Sequence, residues 1–119
     1  MTESKFTRDW FDKTLRADGA YIIAVVGSER QQVGLPDRII MMRPGLVVAV
    51  ELKGPKTKLK AHQTIVLKDI RARGVATAVG RIQPDWQSIV FTDIEESVVL
   101  AEALNKAGLP TAIRAIANQ

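Results

Sequence analysis

Cysteine is absent from the chain, and histidine occurs once, at His62. The first absence excludes structural disulfides and thiolate-held zinc or iron–sulfur groups. The second excludes a multi-histidine metal cluster and leaves no histidine to spare for a serine-type triad. No apolar run approaches the roughly eighteen residues that a membrane span needs. The opening stretch MTESKFTRDWFDK is charged and has no apolar signal-peptide core, so no membrane association and a cytoplasmic location are expected. What is present is ordinary for a globular protein: 119 residues, 46% apolar and 25% charged. That length suits one domain over 1–119 with a single core.

Net charge is +4 with a pI near 9.7, which favours an acidic partner. The excess is local. Residues 53–73 hold Lys53, Lys56, Lys58, Lys60, Lys68, Arg71 and Arg73 against Asp69 alone. Such a run suits a solvated helix face or a footprint for a phosphate backbone. Lys56, Lys58 and Lys60 are the candidate nucleic-acid-binding residues because they stand closest to the strand end described below.

Apolar residues at Phe6, Trp10, Phe11 and Leu15 have helical spacing over 4–17, and Asp18-Gly19 supplies a stop. AYIIAVV (20–26) reads as a strand and 27–35 as a loop. DRIIMMR (37–43) and LVVAVELK (46–53) read as a hairpin around Pro44-Gly45, a pair suited to the centre of a type II turn. A helix is predicted over 59–73, closed by Gly74, with Leu59, Val66, Leu67 and Ile70 on one side. Strands are predicted at 75–81 and, weakly, 87–91. Another helix is predicted over 93–108, started by Thr92 or Asp93, and the last residues are read as a helical turn or a frayed end. The expected class is therefore α/β: a mixed sheet in α-β-β-β-α-β order with a C-terminal helical extension over about 93–119.

Glu51 and Lys53 are two residues apart on a strand and share one face. The hairpin register decides whether Asp37 joins them. With Arg43-Pro44-Gly45 as the loop, Asp37 stands opposite Glu51; with Pro44-Gly45 alone, it faces Leu52. In the first case two carboxylates lie roughly 5 Å apart at Cβ and repel. A divalent cation turns that repulsion into attraction, and oxygen-only ligation suits Mg²⁺ or Mn²⁺. Gln63 falls on the sheet-facing side of its helix, where its amide must bond to the backbone or reach the strand end.

These residues resemble a known family. Gly34-Leu35-Pro36-Asp37, then Glu51-Leu52-Lys53, Lys58-Leu59, Gln63 and Gly74 are similar, in order and spacing, to the VRR-NUC (virus-type replication-repair nuclease) branch of the PD-(D/E)XK superfamily. The resemblance covers about 5–82. It implies a restriction-endonuclease-like core and metal-dependent DNA hydrolysis in replication or repair, directed at branched, flapped or junction DNA. By position it makes Asp37, Glu51, Lys53 and Gln63 catalytic and Asp37, Glu51 and the Leu52 carbonyl metal ligands. It further implies a bacterial cell or phage-infected host, while the small size and the apolar face of the C-terminal helix suggest a homodimer. The family often adds a first-helix carboxylate, for which Glu3, Asp9 and Asp12 are all candidates here. A non-catalytic nucleic-acid-binding module on the same fold is the competing reading. His62 reads as a helix-surface residue and Trp10 and Phe11 as core. Trp86, in the loop QPDW, suits the core, DNA contact or a subunit interface.

Overall fold

The computed structural model describes residues 1–25, 34–92 and 97–114. The apolar spacing of the first segment yields α1 (Glu3–Phe6), a π-helical stretch (Thr7–Asp12) and α2 (Lys13–Ala17). Thr2 caps its start by accepting the Lys5 N–H at 3.1 Å. Gly19, at φ +92°, closes its end. Phe6, Phe11 and Leu15 project from this segment into the core, and Trp10 packs at its margin, 5.2 Å from Phe6 between ring centroids.

Six strands form one sheet in spatial order β1-β2-β3-β4-β5-β6: β1 (Tyr21–Ala24), β2 (Arg38–Met42), β3 (Leu46–Lys53), β4 (Ala76–Ile82), β5 (Ile89–Phe91) and β6 (Thr111–Ile113). The β1–β2, β2–β3 and β4–β5 pairs are antiparallel, whereas β3–β4 and β5–β6 are parallel. The β3–β4 crossover carries α3 (Ala61–Ala72), as a parallel connection requires. On β3 the even residues Val48, Val50 and Leu52 join the core with the first helical segment and with Leu100 and Leu104 of α4 (Ser97–Lys106). The odd residues Glu51 and Lys53 alternate to the opposite face, where Gln63 of α3 reaches Glu51.

Three expectations change. The turn between β2 and β3 is not type II: the Arg43–Pro44 bond is cis and the Gly45 N–H donates to the Met42 carbonyl at 2.9 Å, the arrangement with proline at the third turn position. The C-terminal extension is not wholly helical. After α4, Gly108 at φ +100° reverses the chain and Thr111–Ile113 pairs with β5. The open edge of β5 rewards that strand, and Asn105 fastens it by exchanging two 2.7 Å bonds with the Thr111 backbone. Finally, α3 begins at Ala61 instead of Leu59. The predicted start of the last helix falls on 93–96, outside the described residues.

Gly80 stands in mid-strand on β4 because nothing larger fits. An added Cβ would lie 2.8 Å from Leu52 Cδ2, 2.8 Å from Phe91 Cε1 and 3.0 Å from Ile89 Cγ2, all on fully buried side chains. Gly80→Ala is expected to destabilise the fold by about 1–3 kcal/mol through overpacking. Thermal melts in EDTA check this, and a melting temperature equal to wild type would show that the three neighbours can move aside.

No helix among the described residues is long and apolar enough to cross a membrane.

Candidate active site

Met42 pairs with Leu46 and Arg38 with Val50, so the hairpin closes on the three-residue loop Arg43-Pro44-Gly45. Continuing that register by one position brings Asp37 opposite Glu51. This is the register that gathers the site. Asp37 sits at the bend before β2, and its Oδ2 accepts the Leu52 N–H at 3.1 Å. Its backbone carbonyl is held by the Val25 N–H at 2.9 Å and by Arg38 Nη1 at 3.0 Å. Both its ends are therefore anchored to neighbouring strands.

Glu51 is 1% exposed and Lys53 is 7% exposed. Lys53 Nζ lies 3.3 Å from Glu51 Oε2, and Gln63 Nε2 donates to the same oxygen at 3.5 Å. Oε1 of Glu51 is buried and has no hydrogen-bond partner. Burial, reinforced by the Asp37 carboxylate, pushes the Glu51 carboxyl up to about 8, against the opposing pull of Lys53.

Gln63 does both things open to it. Its Oε1 accepts the Lys60 N–H at 2.9 Å, capping α3, while its Nε2 faces Glu51. One amide thereby ties the start of α3 to the strand end, as the reciprocal half of a capping box does.

The structure separates the three first-helix carboxylates. Asp9 pairs with Arg8 at 2.8 Å on the exposed side. Asp12 is buried, with both oxygens 3.1 Å from Arg38 Nε, clamping the helical segment to β2 beside Asp37. Glu3 alone reaches the end of β3, where its Oε2 accepts the Gly54 N–H at 3.0 Å. The Asp12–Arg38 bridge and the Glu3–Gly54 contact escaped the sequence reading because no local spacing announces contacts across such distances along the chain.

Lys56, Lys58 and Lys60 are exposed on the segment that follows. Arg81, the β4 partner of Lys53, braces that segment by donating to the carbonyls of Gly54, at 2.8 Å, and Thr57. Gly34 explains the first residue of the Gly34–Asp37 motif. It has φ +88°, and an added Cβ would lie 2.8 Å from the His62 carbonyl oxygen, so glycine alone lets this loop rest on the start of α3. His62 itself is exposed and Phe11 is fully buried.

Among the described residues, no group of three or more His, Cys, Asp or Glu side chains is gathered to hold a metal ion. The side-chain donor set at the strand end is the pair Asp37 and Glu51. A pair suffices for Mg²⁺, which keeps several waters and binds through one or two carboxylates plus substrate phosphates. The unpartnered Glu51 Oε1 and the repulsion within the pair are the two features that a divalent cation would satisfy.

No protein-family model matches the sequence, and no curated protein matches it. Among solved structures, the chain is similar to a VRR_NUC domain with a TM-score of 0.56 and 24% identity, over 66% of this chain and 84% of that one. It is also similar to Hjc, a Holliday junction resolvase from the archaeal hyperthermophile Archaeoglobus fulgidus, with a TM-score of 0.59 and 24% identity, over 87% of this chain and 98% of that one. The fold is therefore α/β and of the restriction-endonuclease-like type.

Proposed function

We propose that the protein is a divalent-metal-dependent DNA endonuclease that hydrolyses phosphodiester bonds and selects branched, flapped or junction DNA, in replication or repair. The observation that carries this reading is the hairpin register, which sets Asp37 beside Glu51 and Lys53 at one strand end, with a buried Glu51 oxygen left unpartnered. Similarity to the fold of a Holliday junction resolvase supports the choice of branched DNA.

Asp37, Glu51 and the Leu52 carbonyl would hold Mg²⁺ or Mn²⁺, which when bound supplies positive charge to the phosphate and eases deprotonation of water at neutral pH. Asp37 is oriented for this by the Leu52 N–H, and Glu51 by Gln63 and Lys53. Burial of Glu51 and Lys53 keeps bulk water away, so the Lys53 ammonium acts at low dielectric. There it orients the attacking water and stabilises charge developing on the phosphate oxygens. Lys56, Lys58 and Lys60 would bind the DNA backbone irrespective of sequence, with an affinity that falls as salt rises.

Labelled linear, flapped and four-way-junction DNA incubated with Mg²⁺, Mn²⁺ or EDTA tests the reading. Cutting is expected with either metal and not with EDTA, and fastest on branched substrates. Binding without cutting under every condition would replace this reading with that of a recognition module.

A further inference from the structure

Trp86 packs at the margin of the core, and its loop holds it there in an unusual backbone conformation. It has φ +58°, a left-handed conformation that is an outlier for so bulky a residue and that clusters at ligand-binding and catalytic sites. Three bonds hold it there. The Gln83 N–H donates to the Ser88 carbonyl at 3.0 Å, the Trp86 N–H to the Gln83 carbonyl at 2.8 Å, and the Gln87 N–H to Asp85 Oδ1 at 3.0 Å. Its ring touches Phe6 in a tilted contact, 6.3 Å between centroids, yet the side chain stays half-exposed and lines a cleft of about 490 Å³. Gly54, Pro55, Lys56, Pro84 and Glu3 form most of the remaining wall.

The chemistry of this wall selects an occupant. Indole and two proline rings offer flat apolar surface, and the Thr57 hydroxyl beside them can donate to or accept from the edge of a base. Lys56 supplies a cation at the cleft that continues into Lys58 and Lys60. Glu3 would repel a phosphate inside the cleft, but it can accept from the exocyclic amine of a base. The cleft shares Glu3 with the hollow that Asp37 lines, and Gly54 follows Lys53 in its wall, so it opens beside the strand end. Its volume lies within the range of small-molecule sites.

We infer that this cleft receives one unpaired nucleobase, stacked on Trp86, adjacent to the phosphodiester at the strand end. The inference rests on the nuclease reading and narrows its substrate to DNA with an unstacked nucleotide at a flap, fork or junction, because a base inside a duplex offers no free face.

The test places 2-aminopurine at the first unpaired position of a flap, and in a matched full duplex, and titrates wild-type protein in EDTA. Quenching of the flap probe by the indole is expected, with the duplex probe unchanged. Trp86→Ala is expected to remove the quenching and weaken flap binding about tenfold, a typical loss for one stacked base, while duplex affinity stays the same. Trp86→Phe, which keeps an aromatic ring against Phe6, should retain most of the flap affinity. An unquenched probe in wild type overturns the inference without need of any variant, as does an equal loss on flap and duplex in a folded Trp86→Ala protein. No step of this test involves cutting, so parallel Mg²⁺ reactions report separately on the nuclease reading.

Discussion

Asp37→Asn is expected to reduce DNA cleavage about 10²–10³-fold, the usual loss when one group that stabilises transition-state charge is removed. Affinity for the same DNA in EDTA should stay within about twofold of wild type. The substitution is informative because it changes so little else. The amide oxygen can still accept the Leu52 N–H that Asp37 Oδ2 accepts at 3.1 Å, and the backbone anchors from Val25 and Arg38 are untouched. What disappears is a negative charge beside Glu51, which is also a contributor to the raised Glu51 pKa. One variant should therefore lose cutting and, in the absence of metal, bring the Glu51 titration down toward the ordinary carboxyl range. Single-turnover cleavage with Mg²⁺ reads the first effect. Undiminished cutting would remove Asp37 from the mechanism.

Between about pH 4.5 and 8 the metal-free protein is expected to lose the stability that protonated Glu51 contributes. Glu51 goes from an ordinary 4.5 to about 8 on folding, so between those values the native state binds a proton that the unfolded chain has released. The contribution of Glu51 to stability is then fully present below about 4.5, declines through the window and is lost above about 8, because the slope takes its sign from the excess of native-bound protons. The full span is on the order of 3–5 kcal/mol, at 1.36 kcal/mol per pKa unit. Glu51→Gln mimics the protonated carboxyl and has no proton to lose. Melts in EDTA from pH 5 to 9 should give a wild-type curve that falls progressively further below that of the variant, the gap levelling off near the alkaline end. The variant should at the same time be inactive in Mg²⁺. Added Mg²⁺ should flatten the wild-type slope, since Asp37 and Glu51 would hold it on the proposed reading and its charge would take over the role of the proton. A constant difference between the two proteins across the pH range would mean that Glu51 titrates normally, and that the strand end is wetter than its burial indicates.

Both predictions concern charged groups gathered at one strand end. Glu51 and Lys53, held out of water beside the half-buried Asp37, are costly without a ligand. The core beneath them offsets this with tight apolar packing, visible at Gly80, where Leu52, Phe91 and Ile89 leave no room for a methyl group. On the same ledge, the Asp12–Arg38 bridge ties the helical segment to the strand that begins after Asp37.

What the sequence determined by itself was whatever depends on near neighbours along the chain. Side chains alternate every two residues on a strand, so Glu51 and Lys53 had to share a face once 46–53 was a strand. The 3.6-residue turn likewise put Gln63 on the same side of α3 as Val66 and Ile70. Pro44-Gly45 announced a turn, and Gly74 the end of α3. Tertiary structure decided the rest. Whether Asp37 met Glu51 depended on one residue of loop length, settled only when Met42 paired with Leu46. The reach of Gln63 to Glu51 required the start of α3 to lie beside the end of β3. Glu3 was separated from Asp9 and Asp12 by a contact spanning 51 residues, to Gly54. β6 formed because β5 had an open edge, which nothing in Thr111–Ile113 could have signalled. Periodicity is written into adjacent residues, whereas register, edge pairing and contacts between layers are set by how whole elements bury their surfaces together.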